Sequence, residues 1–193
     1  MKENFDKALL HILKYEGKFS NIKSDRGGAT NQGITLRTLQ QYYKETGWGD
    51  LDKDGDIDIN DIILLDTPEE AAPIYKKFFW DVMKLDDFPK GVDFLMFDFG
   101  VNSGPKNAKI ILQKALNGLG AELVEDGIIG SKTMKAIKSI SQDTLIRAML
   151  NERDIFYRKI VAQNKSQEIF LKGWLNRIGR LTLDVHDFVR KED

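Results

Sequence analysis

The segment Asp50–Asp61, which reads DLDKDGDIDIND, is the part of the sequence that most narrows the possible folds. It holds six aspartates and one lysine within twelve residues. Counting Asp50 as position 1, aspartates fall at positions 1, 3, 5, 7, 9 and 12, and Gly55 at position 6 permits a sharp turn. This is the spacing of an EF-hand loop, in which about six to eight oxygens surround a hard cation. The pattern therefore predicts a calcium loop at this point of the chain.

The candidate calcium ligands are Asp50, Asp52, Asp54, Asp56, Asp58 and Asp61. Position 12 is Asp where Glu is usual, and in this respect the loop resembles the calcium loops of dockerin modules, which also tend to keep Asp there. The alternative is a solvated acidic turn, and Mg²⁺ fits less well because it resists full dehydration. We expect a structural Ca²⁺ that folds an insertion at about residues 48–66 between helices, with no part in the chemistry.

Apolar residues elsewhere recur at the spacing of α-helices, so we predict a mostly α fold. The first helix, which is expected to begin at a cap provided by Asn4, carries Phe5, Leu9 and Ile12 on one face. Four residues further on, the same face carries Glu16, and the glycine that follows is typical of a helix end. Glu16 is therefore expected at the wall of a cleft, or else turned to solvent as helix-end glutamates commonly are.

A capping box at Thr67–Glu70, with proline at the first helical position, predicts the start of another helix. The core stripe of this helix is predicted to consist of Tyr75, Phe78, Phe79 and Val82. Trp80 is either a core residue or a platform for sugar rings.

Two polar residues, Asp98 and Asn102, lie four apart on the otherwise apolar helix VDFLMFDFGVNS, which Gly104 and Pro105 end. Buried polar groups need partners, so these two either cross-link helices or line a cleft. Further helices follow, including a long one from about Ser141 to Gln163.

Composition excludes several classes of function. The 193 residues contain no cysteine, which excludes disulfides, thiolate metal sites and cysteine nucleophiles. They contain only two histidines, which leaves almost no histidine chemistry. The chain shows neither an apolar run long enough to cross a membrane nor a signal peptide, so we expect synthesis in the cytoplasm and release by another route. Net charge is −1, and we expect no nucleic acid partner. We also expect no membrane insertion and predict a monomer.

Two carboxylates, Glu16 and Asp25, lie within a polar, glycine-rich stretch at residues 14–35. Glu16, at the end of an apolar stripe, would have its neutral form favoured by desolvation and so suits a general acid, whereas Asp25 in a polar loop should stay ionised. Thr30 and Thr35 offer hydroxyls that can hold a water molecule or a sugar. This combination is what glycoside hydrolysis requires, although an acidic pair at this spacing is common.

The stretch YEGKFSNIKSDRGGATNQGIT closely resembles the motif of glycoside hydrolase family 108, bacterial and phage N-acetylmuramidases also called secretion activator proteins. The motifs YKKFFWD, FDFGVNSGP, DGIIGSKT and GWLNRIGRL continue the resemblance over most of the chain. It departs at Lys18, where the family usually has glycine. The resemblance implies a lysozyme-like catalytic half, residues 1–96, and a helical peptidoglycan-binding half, residues 97–193.

Carried over by position, the resemblance implies that Glu16 is the catalytic acid, with Asp25 and Thr30 at further catalytic loop positions. Asn102 falls in a family motif and is a candidate substrate contact together with Thr35. The implied reaction is hydrolysis of the β-1,4 bond between N-acetylmuramic acid and N-acetylglucosamine in peptidoglycan. Two alternatives stay open: a non-catalytic wall-binding or secretion accessory protein, and a lytic transglycosylase.

Overall fold

The computed structural model describes residues 2–15 and 29–190. The described residues belong to two compact units, which divide the chain between Asp81 and Val82. The first unit contains α1 (Lys2–Leu13), β1 (Thr30–Asn31), β2 (Ile34–Thr35), α2 (Leu36–Thr46), α3 (Ile59–Leu64), α4 (Pro68–Tyr75) and a π-helical turn (Lys76–Asp81). The two strands form an antiparallel hairpin. The predicted mostly α fold is confirmed.

The second unit is helical throughout its regular structure. It contains a 3₁₀ turn (Leu85–Asp87), α5 (Val92–Ser103), α6 (Pro105–Gly118), α7 (Ser131–Ser139), α8 (Gln142–Gln163), a 3₁₀ turn (Lys165–Gln167) and α9 (Glu168–Arg190). The predicted division of the chain after Met96 falls inside α5, and it stays a prediction about domain organisation. Among the described residues, none of the helices is both long and apolar enough to cross a bilayer.

Helix α1 buries the stripe that its sequence predicts. Phe5, Leu9 and Ile12 are each at most 3% exposed, and the ring of Phe5 meets that of Trp80 edge to face with centroids 5.3 Å apart. The helix begins at Lys2, so Asn4 lies inside the first turn and the prediction that it caps the helix is wrong. The predicted helix end at Glu16 lies outside the described residues.

Helix α4 begins as predicted. The hydroxyl of Thr67 accepts a hydrogen bond from the backbone N–H of Glu70, and the carboxylate of Glu70 accepts one from the backbone N–H of Thr67. This reciprocal capping box satisfies two donors that a helix N-terminus leaves without partners. Pro68 occupies the first turn, where a missing N–H costs nothing.

The aromatic stripe after α4 follows a different phase from the predicted one. Tyr75 is buried, but Trp80 is 1% exposed and belongs to the core, whereas Val82 is 51% exposed. The cause is the π-helical turn at Lys76–Asp81, whose hydrogen bonds span five residues instead of four and rotate the following side chains around the axis. The prediction that Val82 faces the core is therefore wrong, and Trp80 is resolved as core.

Helix α5 is buried from Val92 to Gly100, and this buried surface includes the carboxylate of Asp98. Arg153 of α8 donates to one carboxylate oxygen at 2.6 Å, and Arg177 of α9 donates to the other at 2.7 Å. Burial by itself would raise the pKa of Asp98, but the charges and hydrogen bonds of the two guanidinium groups outweigh it and hold the pKa below its usual range. Asp98 is therefore an ionised cross-link between three helices.

Substitutions at Trp80 and Val82 test the phase of the aromatic stripe. We expect Trp80→Ala to lower the free energy of unfolding by about 3–5 kcal/mol, because it leaves a cavity in the core. Val82→Ala should change it by less than about 0.5 kcal/mol, because that side chain is exposed. Urea denaturation measures both, and equal costs would contradict the shifted phase.

Asp98→Asn is expected to destabilise the protein by about 3–5 kcal/mol at neutral pH, because it leaves two buried guanidinium groups without their counter-charge. The matched control is Asp154→Asn, which removes an exposed i,i+4 pair with Arg158 and should cost less than about 1 kcal/mol. A carboxyl with a lowered folded pKa stabilises the fold above its unfolded value of about 3.9, and this stabilisation disappears as the pH falls through the folded value. The free energy of unfolding of the wild type, measured by urea denaturation, should therefore fall more steeply with decreasing pH than that of Asp98→Asn. Equal slopes for the two proteins would contradict the role of Asp98.

Candidate functional site

The predicted acid Glu16 and the predicted loop carboxylate Asp25 both lie outside the described residues. The structure describes the chain on either side of them. Before them, the backbone N–H groups of Lys14 and Tyr15 continue the hydrogen bonding of α1, to the carbonyls of Leu10 at 3.2 Å and Ile12 at 2.9 Å. After them, Ala29 is buried and leads directly into the hairpin.

The hairpin places the two predicted threonines opposite each other. Thr30 pairs with Thr35, and Asn31 pairs with Ile34, across a two-residue turn. Both turn residues have positive φ, 47° at Gln32 and 74° at the glycine that follows, as the tight turns of two-residue hairpins require. Directly opposed residues have Cβ atoms about 4.5–5.5 Å apart, so the structure brings these two hydroxyl residues together.

The hydroxyl of Thr35 already has a structural role as the N-cap of α2. It accepts a hydrogen bond from the backbone N–H of Thr38 at 3.1 Å, and its oxygen lies 2.9 Å from the hydroxyl oxygen of Thr38. An N-cap of this kind contributes about 1 kcal/mol. The substrate contacts predicted for Thr30 and Thr35 stay predictions.

Sequence reasoning missed the residue that anchors this hairpin. Asn31 is buried, and its side-chain amide donates to the backbone carbonyls of Ile62 at 3.0 Å and Ile63 at 3.3 Å in α3. The hydroxyl of Tyr75 donates to the carbonyl of Gln32 at 2.8 Å, which ties the turn to α4. An asparagine before a two-residue turn signals the turn itself, but the distant carbonyls it reaches leave no local pattern.

The acidic segment folds as a tight loop between α2 and α3. The carboxylate of Asp50 accepts hydrogen bonds at 3.1 Å from the backbone N–H groups of Asp54 and Gly55. Gly55 has a φ of 100°, which makes the sharp turn predicted at position 6 of the loop. The backbone N–H groups thus curl around the first carboxylate of the segment.

The end of the loop is built into the start of α3. Asp58 is the N-cap of this helix, and the fully buried carboxylate of Asp61 accepts from the backbone N–H groups of Asp58 at 3.0 Å and Leu51 at 2.5 Å. Carboxylate oxygens able to hold one cation lie within 4.8 Å of one another in two groups: Asp50, Asp52 and Asp54, and Asp56, Asp58 and Asp61. Each oxygen has two lone pairs, so an oxygen that accepts an N–H retains the capacity to bind a cation.

Electrostatics in this loop favour neutralisation. Partial desolvation raises the pKa of Asp52, and the negative charges of Asp54, Asp61 and Asp50 add to the effect. The charge of Asp54 raises the pKa of Asp56, with desolvation and further carboxylates adding to it. Carboxylates that repel one another bind either protons or a cation more readily than isolated ones. All six predicted ligands therefore lie in a loop that is chemically suited to a divalent ion.

Asn102 is exposed at the C-terminal turn of α5, one turn beyond Asp98. The hydroxyl of Tyr157 lies 2.5 Å from the side-chain oxygen of Asn102, and the ring of Tyr157 stacks on Trp174 with centroids 4.9 Å apart and planes at 17°. The sequence left open whether these two residues cross-link helices or line a cleft. The structure shows that Asp98 is a buried cross-link and that Asn102 reaches the surface. Sequence reasoning missed Arg153, Arg177 and Tyr157 as their partners, since these lie more than fifty residues away in the chain.

Comparison with known proteins identifies two regions. Residues 9–104 match the family described as Glycosyl hydrolase 108, and residues 107–179 match the family described as a Predicted Peptidoglycan domain. Among solved structures, the chain is similar to that of Brucella abortus SagA, with 30% sequence identity, a TM-score of 0.77, and coverage of 100% of this chain and 99% of that one. No curated protein matches the chain.

The first family match covers the hairpin, the acidic loop and α5, and the second begins in α6 and extends into α9. The helix with Asp98 thus comes from one matched region, and the two arginines that neutralise it come from the other. On the family matches and the full-length likeness to SagA, this chain belongs to the glycosyl hydrolase 108 family, and its matched region is followed by a peptidoglycan domain.

Proposed function

We propose that this protein is an N-acetylmuramidase that hydrolyses the β-1,4 bond between N-acetylmuramic acid and N-acetylglucosamine in peptidoglycan. The observation that carries the proposal is the joint presence of a glycosyl hydrolase 108 region and a peptidoglycan domain in one chain. Together they indicate a glycoside hydrolase whose substrate is the cell wall. The bond and the acid are the more specific parts of the proposal.

In the proposed reaction, the carboxyl of Glu16 gives its proton to the glycosidic oxygen as the bond to the anomeric carbon breaks. Water then adds its hydroxyl to that carbon, and its remaining proton passes to a base, for which Asp25 is the candidate. The described residues support this arrangement because they anchor both ends of the segment between them. The buried stripe of α1 holds the chain up to Tyr15, and Asn31 and Tyr75 hold the hairpin that follows.

Two other functions use the same two regions differently. A wall-binding accessory protein would need the peptidoglycan domain alone, and Glu16 would then have no role in its function. A lytic transglycosylase would use Glu16 as acid and then as base, so that the sugar's own 6-hydroxyl closes an anhydro ring without water. The products distinguish the two enzymes, because hydrolysis adds the mass of one water molecule to the cut fragment.

The catalytic proposal is tested by digesting purified peptidoglycan with the wild type, Glu16→Gln and the control Glu69→Gln. Glu69 is an exposed residue in the first turn of α4, so its substitution makes the same chemical change at a position with no proposed role in the reaction. We expect Glu16→Gln to lower the release of soluble fragments by about 100-fold or more, because a general acid contributes about 10²–10⁴ in rate, and Glu69→Gln to retain activity. Equal activity of all three proteins would contradict the role of Glu16.

We further propose that the Asp50–Asp61 loop binds Ca²⁺ as a structural ion. The support is the spacing of its six aspartates, the turn at Gly55, and the two groups of carboxylates in the folded loop. The ion would neutralise the mutual repulsion of these groups, and Ca²⁺ suits them because it accepts six or more oxygens at flexible geometry, about 2.3–2.6 Å away. Since Asp61 also completes the capping box of α3, and the carbonyls of α3 accept from Asn31, the ion would stabilise the hairpin indirectly.

Thermal unfolding tests the calcium proposal. After treatment with a chelator, Ca²⁺ at about 100 times its dissociation constant should stabilise the protein by about 2.7 kcal/mol, which corresponds to a rise of about 5–10 °C in the melting temperature. Asp50→Asn should lose most of this response, and Asp187→Asn, a change of an exposed aspartate in α9, should keep it. A melting temperature that does not respond to Ca²⁺ in the wild type would contradict the proposal.

A further inference from the structure

Asn102 is held in one orientation by a chain of hydrogen bonds that begins in the core. Arg153 is 3% exposed and is itself held by its ion pair with Asp98. The Nε–H of Arg153 donates to the hydroxyl oxygen of Tyr157 at 3.1 Å. A guanidinium group only donates, so in this contact the hydroxyl oxygen must accept.

The hydroxyl proton of Tyr157 is consequently directed to the side chain of Asn102. The hydroxyl has one proton, and its neighbour at 2.5 Å is the side chain of Asn102, which must present its oxygen to receive it. The hydroxyl of Ser103 donates to the same oxygen at 3.2 Å. Both lone pairs of this oxygen are therefore used, and the orientation of the amide follows from the network.

The amide nitrogen of Asn102 is left as a donor at the surface. Asn102 is exposed, and within residues 2–15 and 29–190 no hydrogen bond from its two N–H groups is formed. Trp174, which stacks on Tyr157, is partly exposed. Phe170 is 48% exposed, and its ring lies against that of Trp174 with centroids 5.9 Å apart. A fixed N–H donor therefore lies within one tyrosine side chain of an exposed aromatic surface.

We propose that Asn102, with Trp174 and Phe170, forms a subsite for an N-acetylated amino sugar of the glycan. The acetamido carbonyl of the sugar accepts from the Asn102 amide, and the apolar face of the pyranose ring or the acetyl methyl group lies against the aromatic rings. The proposal rests on the proposed function, which supplies a glycan in which every sugar carries this group. Tyr157 and Arg153 are positioning residues, because they act through Asn102.

The amide donor of Asn102 favours a sugar that carries an acetamido group over a sugar that carries a hydroxyl at the same position. A carbonyl oxygen is a stronger acceptor than a hydroxyl oxygen, and the network presents only donors at this point. The buried charges add specificity, because an amide that could rotate freely would offer its oxygen as often as its nitrogen. Locking the donor in place before binding removes an entropic cost that a mobile side chain would incur on binding.

The test is NMR titration of the full chain with tri-N-acetylchitotriose, and with cellotriose as the matched neutral trisaccharide that carries hydroxyls in place of the acetamido groups. The three tryptophans, Trp48, Trp80 and Trp174, give three indole N–H signals, and Trp174→Phe assigns the third. We expect the Trp174 signal to shift with tri-N-acetylchitotriose and to respond at least about tenfold more weakly to cellotriose. Equal responses to the two sugars, or a shift confined to the other tryptophans, would overturn the subsite.

Variants localise the effect to the amide. Asn102→Asp keeps the acceptor for Tyr157 but removes both N–H donors, and should weaken the response of Trp174 to tri-N-acetylchitotriose by about tenfold. Asn151→Asp makes the same change at an exposed position of α8 and should leave the response unchanged. Tyr157→Phe retains the ring that stacks on Trp174 and should weaken binding less than Asn102→Asp does. Wild-type binding by Asn102→Asp would overturn the proposal.

This readout is independent of catalysis. Loss of peptidoglycan cleavage in Glu16→Gln with an intact Trp174 response supports both proposals. An intact Trp174 response in a protein that never cleaves peptidoglycan would contradict the muramidase function and leave the subsite standing. A protein that cleaves peptidoglycan but shows no acetamido preference at Trp174 would overturn the subsite and leave the muramidase function standing.

Discussion

The ionised carboxylate of Asp98 is the interaction on which the second unit depends. It lies in a helix that is buried on all sides from Val92 to Gly100, and it is stable there because Arg153 and Arg177 reach it from two other helices. Removing one partner from such a group leaves an uncompensated buried charge, which is far more costly than losing a surface ion pair. The same network extends outward through Tyr157 to Asn102, so the charge that holds three helices together also fixes an amide at the surface.

In the first unit, hydrogen bonds to backbone groups connect the acidic loop to the hairpin through α3. The acidic loop ends in the capping box of α3, the carbonyls of α3 accept from Asn31, and Asn31 lies in the hairpin that follows the undescribed segment 16–28. An ion in the loop would therefore act on the hairpin through one short helix. A structural ion of the proposed kind, without a part in the chemistry, would in this way stabilise the hairpin next to the segment that we propose to be catalytic.

Local patterns predicted the local structure well. The stripe of Phe5, Leu9 and Ile12 and the capping box at Thr67 were confirmed, because each depends on residues within one or two helical turns. Val82 was misplaced because a π-helical turn, which has no strong sequence signal, shifts the phase of the side chains after it, whereas Trp80 proved to be the core residue that was one of its two interpretations. The partners of Asp98 and Asn31 were missed for a different reason: their spacing in the sequence is set by tertiary packing, and no periodicity reports it. The roles of Glu16 and Asp25 came from family resemblance, and spacing alone would have left them undecided.

Under the proposed function, residues of the first unit anchor the catalytic segment, and residues of the second unit fix the proposed glycan contact. The most direct test is digestion of purified peptidoglycan in water enriched in ¹⁸O, with mass analysis of the fragments. Hydrolysis at the proposed bond should place one ¹⁸O atom at the reducing end of N-acetylmuramic acid in each new fragment, because water supplies that oxygen. Label at reducing N-acetylglucosamine ends would contradict the proposed bond, and anhydro ends without label would contradict hydrolysis itself.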